Sequence, residues 1–292
     1  MNYILGTAQF GLDYGISNNS GKVKKEDLVK LLLFAKESGF KYLDTANAYG
    51  DSENRIGEMY EITKDFDLIT KTAHIDPDKN YKKNLEYIKK QFFESLKKMK
   101  RESVETLLVH NSIDISIQNG EKIYQYLEEL KKNGLVKKIG VSVYSTEEAT
   151  SICKDFSIDV LQFPINVLDQ SFDKSKTLTL LKNKNIELHA RSIFLQGLLL
   201  MDIQDIDPYF QRIKPKIESY KKSLKKHGLD KVDGALNYIK RVDSIDALVI
   251  GVENKSQLSK IVNSLKKSLT EIEYDEFAIS DADIINPSKW QI

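Results

Sequence analysis

Four polar side chains stand at or just past the ends of short apolar runs. Asp44 closes Leu43-Asp44-Thr45-Ala46, with Tyr49 five residues on; Lys71 closes Ile69-Thr70-Lys71; His110 closes Leu108-Val109-His110. Together these residue types can handle a proton. A phenol is a poor acid near neutrality, with an ordinary pKa of about 10. A nearby ammonium stabilises the phenolate and lowers that value, and a carboxylate holds the ammonium in place. An imidazole at the next run end can hydrogen-bond a substrate oxygen. Such a set polarises and protonates a carbonyl, which is general acid catalysis. It holds no obvious nucleophile and no metal cage, so the electrons must come from elsewhere, and a nicotinamide cofactor would supply them. Taken singly, each residue has an ordinary role: a loop cap, its ion pair, a loop aromatic and a core histidine. Their joint placement at run ends favours chemistry.

Eight runs rich in Val, Ile, Leu and Tyr read as strands: Tyr3–Thr7, Lys41–Thr45, Asp67–Lys71, Glu105–His110, Lys137–Ser142, Asp159–Phe163, Glu187–Arg191 and Ala247–Gly251. Between them lie segments of helical period: Lys25–Ser38, Glu53–Ile62, Tyr81–Met99, Gly120–Asn133, Glu147–Asp155, Lys174–Lys184, a long span from Tyr209 to Arg241, and Ser256–Lys267. Ser145 with Glu148, and Asn254 with Gln257, have the spacing of capping boxes. Strict alternation implies parallel strands joined by right-handed crossovers. Eight units predict a closed (β/α)8 TIM barrel of α/β class, a single domain over 1–292. Extra helices are expected between strands 7 and 8, and a C-terminal tail near the barrel top. The rival is an open doubly wound sheet, but no G-x-G-x-x-G or Walker-type loop follows any strand. In a barrel the chemistry sits at the carboxyl ends of the strands, where Ser142, Gln162, Asn166, Arg191 and Ser192 join the first four residues.

Composition narrows the partners. Lys plus Arg number 44 against 43 Asp plus Glu, a net charge of +1. No global field favours nucleic acid or an anionic membrane. Lysine doublets such as Lys89-Lys90 and Lys221-Lys222 are spread among acids and read as solvated helix faces. The single Cys153 excludes an internal disulfide and a cysteine-rich metal cluster. No basic n-region with an apolar stretch opens the chain, and no apolar run approaches the ~20 residues of a membrane span. The expectation is a soluble, cytoplasmic protein without a metal, acting on a small molecule; the oligomeric state is open.

The run Asp44-Thr-Ala-Asn-Ala-Tyr-Gly-Asp-Ser-Glu-Asn-Arg-Ile-Gly57 resembles the D-T-A-x-x-Y-G-x-S-E-x-x-(I/L)-G stretch of the aldo-keto reductases. Ile69-Thr-Lys71, Leu107-Leu-Val-His110, Ile139-Gly-Val-Ser142 and the Gln162/Asn166 pair resemble that family's later motifs, in order, from Leu5 to about Leu265. The resemblance implies a barrel that reduces aldehydes or ketones with NADPH, NADH being the alternative. It implies Tyr49 as general acid, Lys71 lowering its pKa, Asp44 paired with Lys71, and His110 orienting the carbonyl. Ser142 and Gln162, with Asn166 nearby, are expected at the nicotinamide carboxamide. Gly6 and Thr7 approach the cofactor, and Arg191, Ser192, Leu195 and Gly197 cover its phosphates. Gly251, Val252, Asn254 and Gln257 meet the adenosine end, where a helix start offers free N–H groups.

Several positions depart from the family pattern. Val143 replaces an Asn after the strand-five Ser, and Arg191 replaces a Tyr that stacks on the nicotinamide. Glu253 opposes a 2′-phosphate, while Lys255 favours one. Ala8 stands where a large aromatic is common and leaves a roomier substrate pocket beside Tyr49, His110 and Asn111. Gln9, Asn47, Asn111 and Arg191 make the rim polar, which suits a hydroxylated or sugar-like carbonyl. The chain starts almost at the first strand, without a hairpin to plug the barrel bottom. The tail with Phe277 and Trp290 either folds over the pocket mouth or packs on the last helices. Two other functions fit parts of the pattern: a cofactor-binding redox sensor with little turnover, and a lyase using Lys71 as a Schiff-base nucleophile.

Overall fold

A computed structural model describes residues 1–76 and 79–292. Eight parallel strands, β1 (Asn2–Gly6), β2 (Tyr42–Asp44), β3 (Asp67–Lys71), β4 (Val104–Val109), β5 (Val136–Ser142), β6 (Val160–Pro164), β7 (Glu187–Arg191) and β8 (Ala247–Gly251), pair in sequence order. Pairing of β1 with β8 closes the barrel. The register brings Gly6 opposite both Asp44 and Gly251, and Ser142 opposite Gln162.

The strand period of two sorts these residues. Leu5, Leu43, Leu68, Leu107, Val109, Val141, Phe163, Leu188 and Ile250 belong to the large core between strands and helices. Their alternates Ile4, Ile69, Leu108, Val160 and Ala247 form a separate small core inside the barrel. Below it, Lys138 pairs with Glu187 at 2.6 Å and with Glu105 at 3.6 Å, and His189 lies 2.9 Å from Glu187. One step above the inner core, the same period aims Gly6, Asp44, Lys71, Ser142, Gln162, Arg191 and Gly251 into the barrel mouth. The site is therefore the top inner layer of the barrel.

Helix boundaries differ from the sequence expectation where local chemistry interrupts a period. The 53–62 segment breaks at Met59 into Ser52–Glu58 and Tyr60–Thr63, and 174–184 into Ser171–Lys174 and Thr177–Asn183. The long span resolves into a 3₁₀ turn, Pro208–Ile213, and helices Lys214–Lys226 and Lys231–Ile239. Ser145 caps the N–H of Glu148, but Glu148 returns to Tyr144 N–H and Ser112 rather than to Ser145. A reciprocal capping box instead joins Asp230 and Asp233.

The tail does both things weighed for it. Phe277 is fully buried, edge-on to Tyr220, and Trp290 packs edge-on against Phe210. Pro287 and Ser288 nevertheless border the cavity mouth. Among the described residues no helix is long and apolar enough to cross a membrane, and no group of three or more His, Cys, Asp or Glu could hold a metal.

Candidate active site

A cavity of about 620 Å³ opens at the carboxyl ends of the strands, within the range of ligand sites. Asp44, Lys71 and Gln162 form its floor. Lys71 Nζ donates to Asp44 Oδ1 at 2.5 Å and to the Thr45 carbonyl at 2.9 Å, while Gln162 Nε2 donates to Asp44 Oδ2 at 2.8 Å. All three side chains are buried. Each Asp44 oxygen thus has a partner, which is the condition for keeping an ion pair out of water. The same contact keeps Lys71 an ammonium, although burial pulls its pKa down against the charge of Asp44. That argues against a Schiff-base nucleophile.

Tyr49 is placed by the turn that follows it. Gly50 has φ +56°, and a Cβ there would meet the Gly11 carbonyl at 2.4 Å, so a side chain is excluded twice over. Ser52 then locks the turn to the strand ends, with its Oγ 2.9 Å from the Thr7 carbonyl and 3.1 Å from Thr45 Oγ1. Glu53, also buried, accepts from Thr70 Oγ1 and Ser95 Oγ, both at 2.9 Å. The Tyr-Gly-x-Ser-Glu spacing is therefore a device for seating a phenol over β3.

Burial, and then the Asp44 carboxylate, push the Tyr49 phenol far above its usual pKa, and Arg191 is the cation that opposes them. Lys71 sits over the ring face, 4.9 Å from its centroid. Burial and Asp44 thus outweigh the nearby cations and hold the phenol protonated. His110 is held neutral, its pKa near 2, by burial first and then by Lys71, His74 and Arg191.

Arg191 does not replace a tyrosine's flat face alone. Its guanidinium stacks on Tyr144 at 4.4 Å and donates to the Val143 carbonyl at 2.9 Å and to Ser192 Oγ at 3.1 Å. Val143, which removes one side-chain contact expected at the carboxamide, thereby anchors Arg191 through its backbone. Beyond Arg191, Ser192, Leu195 and Gln196 have positive φ of 60°, 47° and 51°. This contorted loop meets the segment after β1 where Ile16 N–H donates to the Gln196 carbonyl at 3.0 Å. Gly197, at φ +95°, has Ser17 Oγ 1.9 Å from where a Cβ would sit. Gly197→Ala is expected to cost about 1–2 kcal/mol of stability. Thermal melting checks it; an unchanged melting midpoint counts against the close approach.

Most of the residues singled out from sequence line the cavity: Gly6, Thr7, Ala8, Asp44, Tyr49, Lys71, His110, Ser142, Gln162, Arg191, Ser192, Gly197, Gly251, Val252 and Gln257. Four others are not on its wall. Asn111 turns to the Ile113 N–H. Asn166 accepts from the N–H groups of Leu168 and Asp169 and supports the Ser192 carbonyl from behind. Leu195 is wholly buried in the large core, and Asn254 caps the helix Lys255–Leu265. Of the polar rim, Gln9 is on the wall, whereas Asn47 donates to Gln91. Lys255 lies over the Phe34 ring, so the lysines of the far end are Lys231 and Lys260. Both are already paired, with Asp202 at 2.6 Å and Asp230 at 3.1 Å. Sequence reading missed these lysines, together with Tyr14, Ser17, Tyr144 and Asp230. Tyr14, Ser17 and Tyr144 come from loops, and Asp230, Lys231 and Lys260 from the start or body of helices, where no strand-end signal marks them.

The chain matches the Aldo/keto reductase family model over residues 3–282. It belongs to that family. Among curated relatives of this reductase-family chain, the uncharacterized oxidoreductase YqkF of Bacillus subtilis is 26% identical over 204 residues, covering 67% of this chain and 65% of the relative. Protein REDOX 2 of Catharanthus roseus is 26% identical over 196 residues, 58% of this chain and 57% of the relative. The match thus spans less than two thirds of either relative. Among solved structures, the holo form of the aldo-keto reductase AKR11C1 from Bacillus halodurans superposes with a TM-score of 0.74 at 16% identity, covering 94% of this chain and 90% of that one. The glycerol dehydrogenase AKR11B4 from Gluconobacter oxydans superposes at 0.68 with 20% identity, covering 92% and 87%. At these identities the solved structures carry the barrel itself.

Proposed function

We propose that this chain reduces an aldehyde or ketone to the alcohol with a reduced nicotinamide dinucleotide, Tyr49 delivering the proton. The observation that carries this reading is the Asp44–Lys71–Gln162 set buried beneath Tyr49 and His110. A protonated phenol seated over a fixed ammonium serves proton delivery rather than mere nucleotide binding. The cavity fits such a cofactor in its polar groups. Gln9 Oε1 is buried beside it without a partner, Ser142 and Gln162 offer amide-compatible groups, and Gly197 and Gly251 keep the wall free of side chains. When bound, the cofactor supplies hydride to the carbonyl carbon. His110 and Tyr49 hold the carbonyl oxygen, Tyr49 releases its proton there, and the Lys71 ammonium, kept in place by Asp44, stabilises the phenolate left behind.

The cofactor is NADPH or NADH, and Glu253 on the wall, with Lys255 turned away to Phe34, weighs toward NADH. Glu253 lines the far end of the cavity, where Gln257 hydrogen-bonds its carboxylate. A carboxylate there repels a 2′-phosphate and can accept from a 2′-hydroxyl. Glu253→Gln is expected to raise affinity for NADPH over NADH by about tenfold, read from fluorescence titrations with both nucleotides. An unchanged ratio removes Glu253 from this role.

The substrate in this reading is a polar, hydroxylated or sugar-like carbonyl, because Ala8 leaves room and Gln9, Tyr14, Tyr144 and Arg191 line the wall. We place the activity in the cytoplasm, with no nucleic-acid or membrane partner. The test is loss of reduced-nicotinamide absorbance with a hydroxyaldehyde and with an apolar aromatic aldehyde. A preference for the apolar one sinks the substrate reading, and no turnover with any carbonyl despite tight nucleotide binding sinks the reductase reading.

A further inference from the structure

A histidine that works on a ligand is ordinarily held by a hydrogen bond to its second ring nitrogen, which also selects the tautomer. His110 has no such partner, since its Nδ1 is buried and unbonded. Its backbone N–H donates to Thr72 Oγ1 at 3.2 Å, which places the residue but not the ring. What touches the ring are two other rings. His74 lies face to face with it, centroids 4.5 Å apart and planes 24° from parallel. Tyr49 meets it edge-on, at 5.8 Å and 85°.

His74 sits on an anchored segment. Buried Asn84 accepts the Asp76 N–H at 3.1 Å and donates to the Asp76 carbonyl at 2.9 Å. The buried Asp114 carboxylate accepts the Ile75 N–H. Two buried polar side chains, one from the helix Tyr81–Met99 and one from the turn after β4, therefore fix the two residues that follow His74.

We propose that His74 is a positioning residue whose stacked ring takes the place of the missing hydrogen bond, holding His110 with Nε2 toward the cavity. The proposal deepens the reductase reading and rests on it for the role of His110 at the carbonyl. Lys71, Arg191 and Tyr49 face His110 from the cavity side, while Asp76, Lys79, Lys83 and Tyr87 border His74 on its outer side. Buried, with two cations beside it and the exposed His74 ring stacked on one face, His110 stays neutral throughout the working pH range.

The chain has four histidines, so long-range 1H–15N spectra of the full protein can follow each ring. Wild type is expected to show His110 as one neutral tautomer, protonated at Nε2. In His74→Ala the ring is expected to become a tautomer mixture whose protonation moves up toward the ordinary value of about 6.5. Its kcat is expected to fall between about tenfold and a hundredfold, with a new acidic limb in the pH profile. His74→Phe keeps a flat face and is expected to restore the spectrum and the rate. An unchanged His110 spectrum in His74→Ala overturns the proposal, as does a His74→Phe protein that melts cooperatively yet is as impaired as His74→Ala. The spectra need no turnover, so an inactive protein with the expected tautomer change counts for the stack and against the reductase reading.

Discussion

Tyr49→Phe is expected to bind reduced nicotinamide as wild type does and to reduce carbonyls about 10²–10⁴-fold more slowly, the range of a positioned general acid. The ring stays seated, because Lys71 contacts its face and the Gly50 turn fixes its backbone. Only the hydroxyl is lost. Since burial and Asp44 hold the phenol protonated, the wild-type reduction rate is expected to show no loss from Tyr49 ionisation as pH rises through 7 to about 9. Stopped-flow absorbance gives the rate, and fluorescence titration gives the affinity. If Tyr49→Phe turns over normally, the proton comes from another phenol on the cavity wall, Tyr14 or Tyr144.

The second large effect separates stability from chemistry. Asp44→Ala leaves the Lys71 ammonium buried without its counter-charge and strips Gln162 Nε2 of its acceptor. A cost of about 3–5 kcal/mol in stability is expected, with loss of turnover. The sign of the pH dependence follows from burial, which depresses the Lys71 pKa. Between its folded and unfolded pKa values the unfolded chain binds more protons, so stability rises with pH. The Asp44→Ala penalty is therefore largest near neutrality and shrinks as pH approaches about 10.5. Adding Lys71→Met removes the stranded charge, and the double variant is expected to regain most of the stability and none of the activity. Denaturant melts at pH 7 and 10 test this. A double variant no more stable than Asp44→Ala would show that the pair is not energetically coupled.

The sequence by itself determined the barrel and most of the site's floor. Side chains alternate along a strand, so a polar residue ending an apolar run on the inward phase must reach the mouth. Asp44, Lys71, Ser142, Gln162 and Arg191 obey that rule, and all line the cavity. The rule fails beyond the strand, because loop geometry has no fixed period. Asn111, Asn166, Leu195 and Asn254 were near the right places in sequence, yet their side chains cap turns, brace the Ser192 loop or enter the core. Only the tertiary structure decided which lysines reach the far end, since Lys255 and Lys260 differ by more than one turn of the same helix. It alone brought His74 against His110, 36 residues apart in the chain and on loops after neighbouring strands. It also decided the electrostatics of Tyr49. A motif states which charges are near, but whether burial or an ion pair dominates depends on how completely water is excluded.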